Sequence, residues 1–156
     1  MRNEEQVATI VSCIDGIELT PEERDILFQD RFNIAHNPIH DTTDVISENR
    51  QAIFFGHPER PYVRINAAAL NIEEYDGLER QAITKVLKYF EKNRVEIVLK
   101  STDCVYIDNY RCVHARNAYQ ALYGPNTRWL ARVVFTSDLK KSRPFRSSTE
   151  ARSLIA

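Results

Sequence analysis

The feature that most constrains this chain is the stretch from about residue 72 to residue 93. Tyr75, Leu78, Ala82, Val86 and Phe90 recur there at three- and four-residue intervals, with Leu87 beside them. Glu79, Arg80, Lys85, Lys88 and Lys92 occupy the other side. This period lays an apolar stripe along one face of a helix, and the stripe must be covered. The sequence after it favours strands. Residues 95–99 are β-prone, 104–108 alternate with period two, 111–115 form a short apolar run, and 129–136 make the strongest strand candidate. Lys100-Ser101-Thr102-Asp103 and Gly124-Pro125-Asn126 mark the turns. A sheet of such strands is the simplest cover for the helix, so the expected fold is mainly β with one long packing helix.

The first half fits that plan. Residues 6–13 are β-branched and predict a strand. Thr20-Pro21-Glu22-Glu23 predicts a short helix ending near Phe28: a capping threonine, proline at the first helical position, and a glutamate that completes a capping box. Residues 31–50, with His36, Pro38, His40, Asp41 and Asp44, read as a long surface loop. Apolar stretches at 52–55 and 62–65 flank a break at Gly56-His57-Pro58-Glu59-Arg60-Pro61.

Composition narrows the function. The 156 residues carry 21 Lys+Arg against 22 Asp+Glu, a net charge of -1. This balance predicts no nucleic-acid partner and no anionic membrane surface. No apolar run approaches the roughly 18–20 residues needed to span a bilayer, and Met1-Arg2-Asn3-Glu4-Glu5 is too charged to open a signal peptide. Cys13, Cys104 and Cys112 are odd in number and lack metal-binding spacing, so they read as reduced thiols in a cytoplasmic protein. Lys140, Lys141, Arg143 and Arg146 read as a solvated end.

Residues 103–143 carry the chemistry. A strand ends at Asp108-Asn109, and His114 follows on a short strand. Arg128 and Arg132 lie further on, where a strand would place both on one face. Guanidinium groups bind carboxylates in a bidentate fork, and neutral imidazole binds Fe(II). The bland reading is a hydrogen-bonded histidine and two surface arginines.

Five short elements agree in order and spacing with one family: Thr102-Asp103, Ile107-Asp108-Asn109, His114-Ala115-Arg116, Thr127-Arg128-Trp129-Leu130-Ala131-Arg132 and Asp138-Leu139-Lys140-Lys141-Ser142-Arg143. They resemble the C-terminal part of Fe(II)/2-oxoglutarate-dependent dioxygenases of the taurine dioxygenase (TauD/TfdA-like) superfamily, in the clavaminate synthase-like branch. Leu19-Thr20-Pro21, Leu27-Phe28-Gln29-Asp30-Arg31-Phe32 and residues 56–65 extend the likeness to about residues 15–145. The resemblance implies a single domain over residues 1–156, part of a double-stranded β-helix, or jelly roll. It implies Fe(II) and 2-oxoglutarate as cofactors and hydroxylation of an amino acid or similar small molecule. By position, His114 matches an iron ligand. Arg128 matches the arginine that holds the far carboxylate of 2-oxoglutarate, and Arg132 a second arginine beside the co-substrate. Asn109 and Arg116 match the surroundings of the histidine. Arg64 and Asn66 fall in the substrate pocket.

Three departures stand against the family pattern. Thr102 and Ala115 replace glycines, which implies a relaxed or altered site. Asn66 and Ala68 stand where hydroxylases of basic amino acids carry acids, which weighs against an arginine-like substrate. The first two iron ligands, a His-x-Glu or His-x-Asp pair, belong more than a hundred residues before the distal histidine, whereas 113 residues precede His114 in all. His57-Pro58-Glu59 is the one His-x-Glu here and is an additional metal candidate; its neighbours place it near the substrate strand instead. The family's N-terminal half would then be missing, through truncation, gene splitting or a misplaced start, and the sequence leaves open whether Met1 is the true start. Three readings stay open: a hydroxylase; an inactive or partner-dependent C-terminal half, including a homodimer; and a carboxylate-binding module without redox chemistry.

Overall fold

The structure is a computed structural model that describes residues 7–34, 50–68, 70–118, 130–133, 135, 138, 140, 143 and 146–150. The chain divides into two compact units, Met1–Leu122 and Tyr123–Ala156.

The first unit opens with strand β1 (Thr9–Cys13) and helix α1 (Pro21–Leu27). A hairpin of β2 (Phe54–His57) and β3 (Arg60–Val63) follows, then helix α2 (Gly77–Lys92), β4 (Val95–Ile97) and β5 (Cys112–Arg116). The order β4-β1-β5 makes one antiparallel sheet, with Val11 opposite both Val95 and His114. The hairpin pairs Phe54 with Val63 and His57 with Arg60.

The expected long helix is interrupted. A 3-10 turn at Ile72–Glu74 is capped by the Asn71 side chain, and α2 starts only at Gly77, whose φ is 46°. The apolar stripe survives the break. Tyr75, Ala82, Val86 and Phe90 are buried, and Ile83 joins them, but Leu78 stays 37% exposed. They pack with Ile14, Leu27, Phe32, Ile53, Phe54 and Val63, so the core lies between the two helices and the hairpin. Phe32 and Gln51 exchange backbone hydrogen bonds of 3.1 and 2.8 Å, which ties together the ends of the expected loop. The interior of that loop, with His36, His40 and Asp41, lies outside the described residues.

Helix α1 forms as its sequence predicts. The Glu23 N–H donates to Thr20 Oγ1 at 3.2 Å, and the Thr20 N–H donates to Glu23 Oε2 at 2.8 Å. That oxygen also accepts from Lys85 Nζ at 2.8 Å, so the buried carboxylate joins α1 to α2. The Lys85 ammonium, then the Thr20 N–H, hold the Glu23 carboxyl below its ordinary value. In the unfolded chain it titrates at about 4.3. Between the two values the unfolded chain binds more protons, so this contribution is present above about pH 4.3 and is lost as pH falls through the lower folded value. Urea denaturation from pH 3 to 7 should therefore show a steeper acid loss in the wild type than in Glu23→Gln. The variant should also be about 1 kcal/mol less stable at pH 7, through the weakened cap. Parallel pH profiles would contradict this.

Two strand expectations need correction. Residues 104–108 alternate in exposure, with Val105 and Ile107 half-buried and their neighbours exposed, but no strand pairs with them. The alternation marks a surface segment, because a ladder also needs a neighbouring backbone at hydrogen-bonding distance. Of residues 129–136, the described ones (130–133 and 135) hold no strand, and Leu130, Val133 and Phe135 are 55%, 70% and 78% exposed. The expected turn at Gly124-Pro125-Asn126 lies outside the described residues.

The turn at residues 100–103 does form, closed by Asp103 N–H to Lys100 O at 3.1 Å and Lys100 N–H to Asp103 Oδ2 at 2.8 Å. Thr102 adopts φ 76° there. Here a threonine carries the left-handed conformation, at a cost of about 1–2 kcal/mol.

The expectation of three reduced thiols is also corrected. Cys13 and Cys112 are directly opposed in the β1–β5 ladder and form a disulfide, while Cys104 is free and exposed. The partners are 99 residues apart, and only the strand register makes them neighbours. Closing so long a loop stabilises by about 2–4 kcal/mol. Dithiothreitol should lower the urea midpoint accordingly. Alkylation of the native protein should label Cys104 alone; three labelled cysteines before reduction would refute the crosslink.

Candidate functional site

The site forms where the hairpin meets the start of β5. Asp108 shapes the approach: its side chain accepts from the Tyr110 N–H at 3.0 Å, and its carbonyl accepts from the Arg111 and Cys112 N–H groups at 3.1 and 2.9 Å. This tight turn launches β5 and sets His114 in register opposite Val11. The hairpin docks on the same turn. The Val63 N–H donates to the Tyr110 carbonyl at 2.8 Å, and Arg111 Nη1 donates to the Pro61 carbonyl at 3.1 Å. Arg111 also pairs with Asp15, and the Tyr89 hydroxyl donates to the Asp15 carbonyl, so helix α2 and the end of β1 brace the junction.

Three rings fill the seam. Phe55 and Tyr62 are 5.4 Å apart, Tyr62 and Tyr110 5.1 Å, and Phe55 and Tyr110 5.8 Å. Two hollows open beside this cluster. One, of about 370 Å³, is lined by His114, Arg64, Asn66, Asn109, Phe55 and Tyr110, among others. The other, of about 440 Å³, is lined by His57, Glu59, Arg60, Tyr62, Asp108 and Arg111.

The predicted residues are thus sorted by the fold. His114, Arg64, Asn66 and Asn109 share one hollow, although 50 residues separate Arg64 from His114. His57 and Glu59 line the other, where His57 Nδ1 accepts from the Glu59 N–H at 3.3 Å in a tight turn. Arg132 is exposed in the second unit, and Arg128 lies outside the described residues. Arg116 ends β5. Phe55 and Tyr110 went unremarked as site residues. The period-two pattern of the hairpin and the Asp108-Asn109 turn were the available signals for them.

Among the described residues, no three His, Cys, Asp or Glu side chains come together as a metal site. The imidazole of His114 is of a type that binds Fe(II), but the described residues do not make up an iron centre by themselves.

The comparisons agree with this architecture. The family model "Taurine catabolism dioxygenase TauD, TfdA family" matches residues 17–134, and the chain belongs to that family. It is 27% identical to the enduracididine beta-hydroxylase of Streptomyces hygroscopicus, over 97% of this chain and 51% of that protein. It is 28% identical to the L-ornithine/L-arginine 3-hydroxylase of Catenulispora acidiphila, over 66% of this chain and 30% of that protein. Among solved structures, the non-heme iron oxygenase OrfP in complex with Fe and alpha-ketoglutaric acid superimposes with a TM-score of 0.83 and 32% identity. That match covers 98% of this chain and 48% of OrfP. The sheet, hairpin and packing helix are accordingly part of the jelly roll that the sequence resemblance implied. The chain spans about half the length of the first relatives it matches.

No helix among the described residues is long and apolar enough to cross a membrane.

Proposed function

We propose that this chain carries part of the active centre of an Fe(II)/2-oxoglutarate-dependent hydroxylase acting on an amino acid. Its contribution is His114 as an iron ligand, with Arg64 and Asn66 lining the substrate hollow beside it. Arg128 and Arg132 serve the co-substrate carboxylate in this reading. The observation that carries it is the joint placement of His114, Arg64 and Asn66 around one hollow, in a chain of this family. When bound, Fe(II) would activate O2, which is the oxidant for hydroxylation, while 2-oxoglutarate would be oxidised to succinate and CO2. The protein side of the site orients the substrate against the Phe55 and Tyr110 rings and keeps bulk water from one wall. The remaining iron ligands lie outside the described residues.

The test is succinate formation from 2-oxoglutarate with Fe(II), oxygen and a panel of amino acids. Turnover that depends on one amino acid supports the reading; no succinate with any of them removes it. A second reading is favoured by the lack of a three-ligand cluster among the described residues. In it the chain is a partner-dependent half, or a carboxylate-binding module without redox chemistry. Carboxylate binding that persists without Fe(II) binding would select the module, and activity restored by a chain carrying the missing ligands would select the half.

A further inference from the structure

We propose that the Cys13–Cys112 disulfide is a thiol-exchange site whose redox state sets the shape of the hollow beside His114. A low-molecular-weight thiol enters at Cys13, and Cys112 is the thiol released at the wall of the hollow. The inference does not rest on the hydroxylase reading.

Strand register puts the crosslink and His114 side by side. At the two ends of the β1–β5 ladder, the Ile14 N–H donates to the Arg111 carbonyl at 2.9 Å and the Asn117 N–H to the Ala8 carbonyl at 3.4 Å. Hydrogen-bonded pairs alternate with open pairs along an antiparallel ladder, so Cys13–Cys112 and Val11–His114 are successive open pairs. Open pairs bring their side chains closest, and residues two apart point to the same face. The disulfide is therefore the next pair to His114 on one face of the sheet. Cys112 also lines the hollow together with His114, Asn109 and Tyr110.

The two sulfurs differ in access. Cys13 is exposed, whereas Cys112 is only 9% exposed. A thiolate attacks a disulfide at the sulfur it can reach, which here is Cys13. The attack forms a bond from the incoming sulfur to Cys13 Sγ and breaks the Sγ–Sγ bond. The electron pair and a proton pass to Cys112, which becomes a thiol. A second molecule of the same small thiol frees Cys13 and leaves as part of a small disulfide. In all, two electrons and two protons enter the protein.

Exchange reshapes the hollow because the two sulfurs trade a bond for a non-bonded contact, and directly opposed side chains then need more room. The start of β5 resists that displacement, since Arg111 is tied to Asp15 and to the Pro61 carbonyl. Beyond Cys112, residues 114–116 are exposed, and among the described residues β1 is the only strand paired with β5. The change therefore falls on Cys112 and His114, in the part of the strand with the least burial to oppose it.

The test uses the full chain with Cys104→Ser, which removes the free exposed thiol. Incubation with reduced glutathione, quenching with iodoacetamide and peptide mass spectrometry locate the adduct. Glutathione should sit on Cys13 and the alkyl group on Cys112, at least about tenfold above the reverse pattern. Histidine ring NMR then follows the hollow, with the His114 signals assigned by their loss in His114→Gln. Dithiothreitol should shift them by more than a linewidth, and oxidised glutathione should restore them. The signals of His57, in the other hollow, should stay in place. The double variant Cys13→Ser, Cys112→Ser should move the His114 signals in the same direction without any reductant. Circular dichroism follows the fold throughout. Four results overturn the proposal: an adduct mainly on Cys112, no adduct at all, His114 signals that move no more than those of His57, or unfolding on reduction, which would make the crosslink a structural staple.

Discussion

His114→Ala is expected to weaken Fe(II) binding by at least about 100-fold, since loss even of a group that merely supports a metal ligand costs about 10–100-fold. Succinate formation should fall with it. The fold should not, because the His114 side chain is exposed in the middle of β5. The informative comparison is with His57→Ala and Glu59→Gln. These two side chains line a different hollow from His114. Their loss should leave Fe(II) affinity within about threefold of wild type, well under the 10–100-fold that removal of a metal-supporting group produces. Equal losses at all three positions would bring His57 and Glu59 into the ligand set and would demand a closer approach of the two hollows. An unchanged affinity in His114→Ala would remove this histidine from the metal centre altogether. Anaerobic Fe(II) titration reads the affinity directly, without relying on turnover.

Phe54→Ala should have the largest effect on stability, about 3–5 kcal/mol. Phe54 is fully buried, packs edge-on against Phe28 with ring centres 6.0 Å apart, and pairs with Val63 across the hairpin. Its side chain fills the space where the hairpin meets α1, so alanine leaves a cavity that rigid neighbours close only in part. Against a typical domain stability of about 5–15 kcal/mol, this is a large fraction. Phe54→Leu should cost much less, because most of the volume remains. Tyr106→Ala is the control: Tyr106 is 83% exposed, and a surface change of this kind stays within about 0.5 kcal/mol. Urea midpoints with unchanged slopes would measure all three. Equal midpoints for Phe54→Ala and Tyr106→Ala would mean that the hairpin does not pack as described. The Phe54 variant should also loosen the hollow beside His114, since β2 carries Phe55 and Arg64 directly follows β3.

Some of this was legible in the residues alone, and for a common reason. The capping box of Thr20 and Glu23 joins residues three apart, and the stripe of α2 repeats every three or four. The hairpin is a pair of apolar runs around a short break. Each signal is local, so chain connectivity alone brings the interacting groups together. The family could be read for a similar reason: short motifs in fixed order survive as text. Their meaning as a site could not be read in the same way. Residues 104–108 have the alternation of a strand and remain unpaired, because pairing needs a second backbone that their own sequence does not specify. Gly77 and the turn before it broke a helix whose side-chain period continues unbroken.

What the sequence by itself determined about this protein is its local elements, its family and the types of residue that carry its chemistry. Only the tertiary structure decided which of those residues meet. It joined Cys13 to Cys112 across 99 residues, set Arg64 in one hollow with His114, and put His57 and Glu59 in another. The reason is strand register. A shift of one residue in the β1–β5 ladder would separate the cysteines and turn His114 to the other face of the sheet. Register is fixed by burial and by contacts distant in sequence, such as the Val63 N–H to the Tyr110 carbonyl and Arg111 to Asp15.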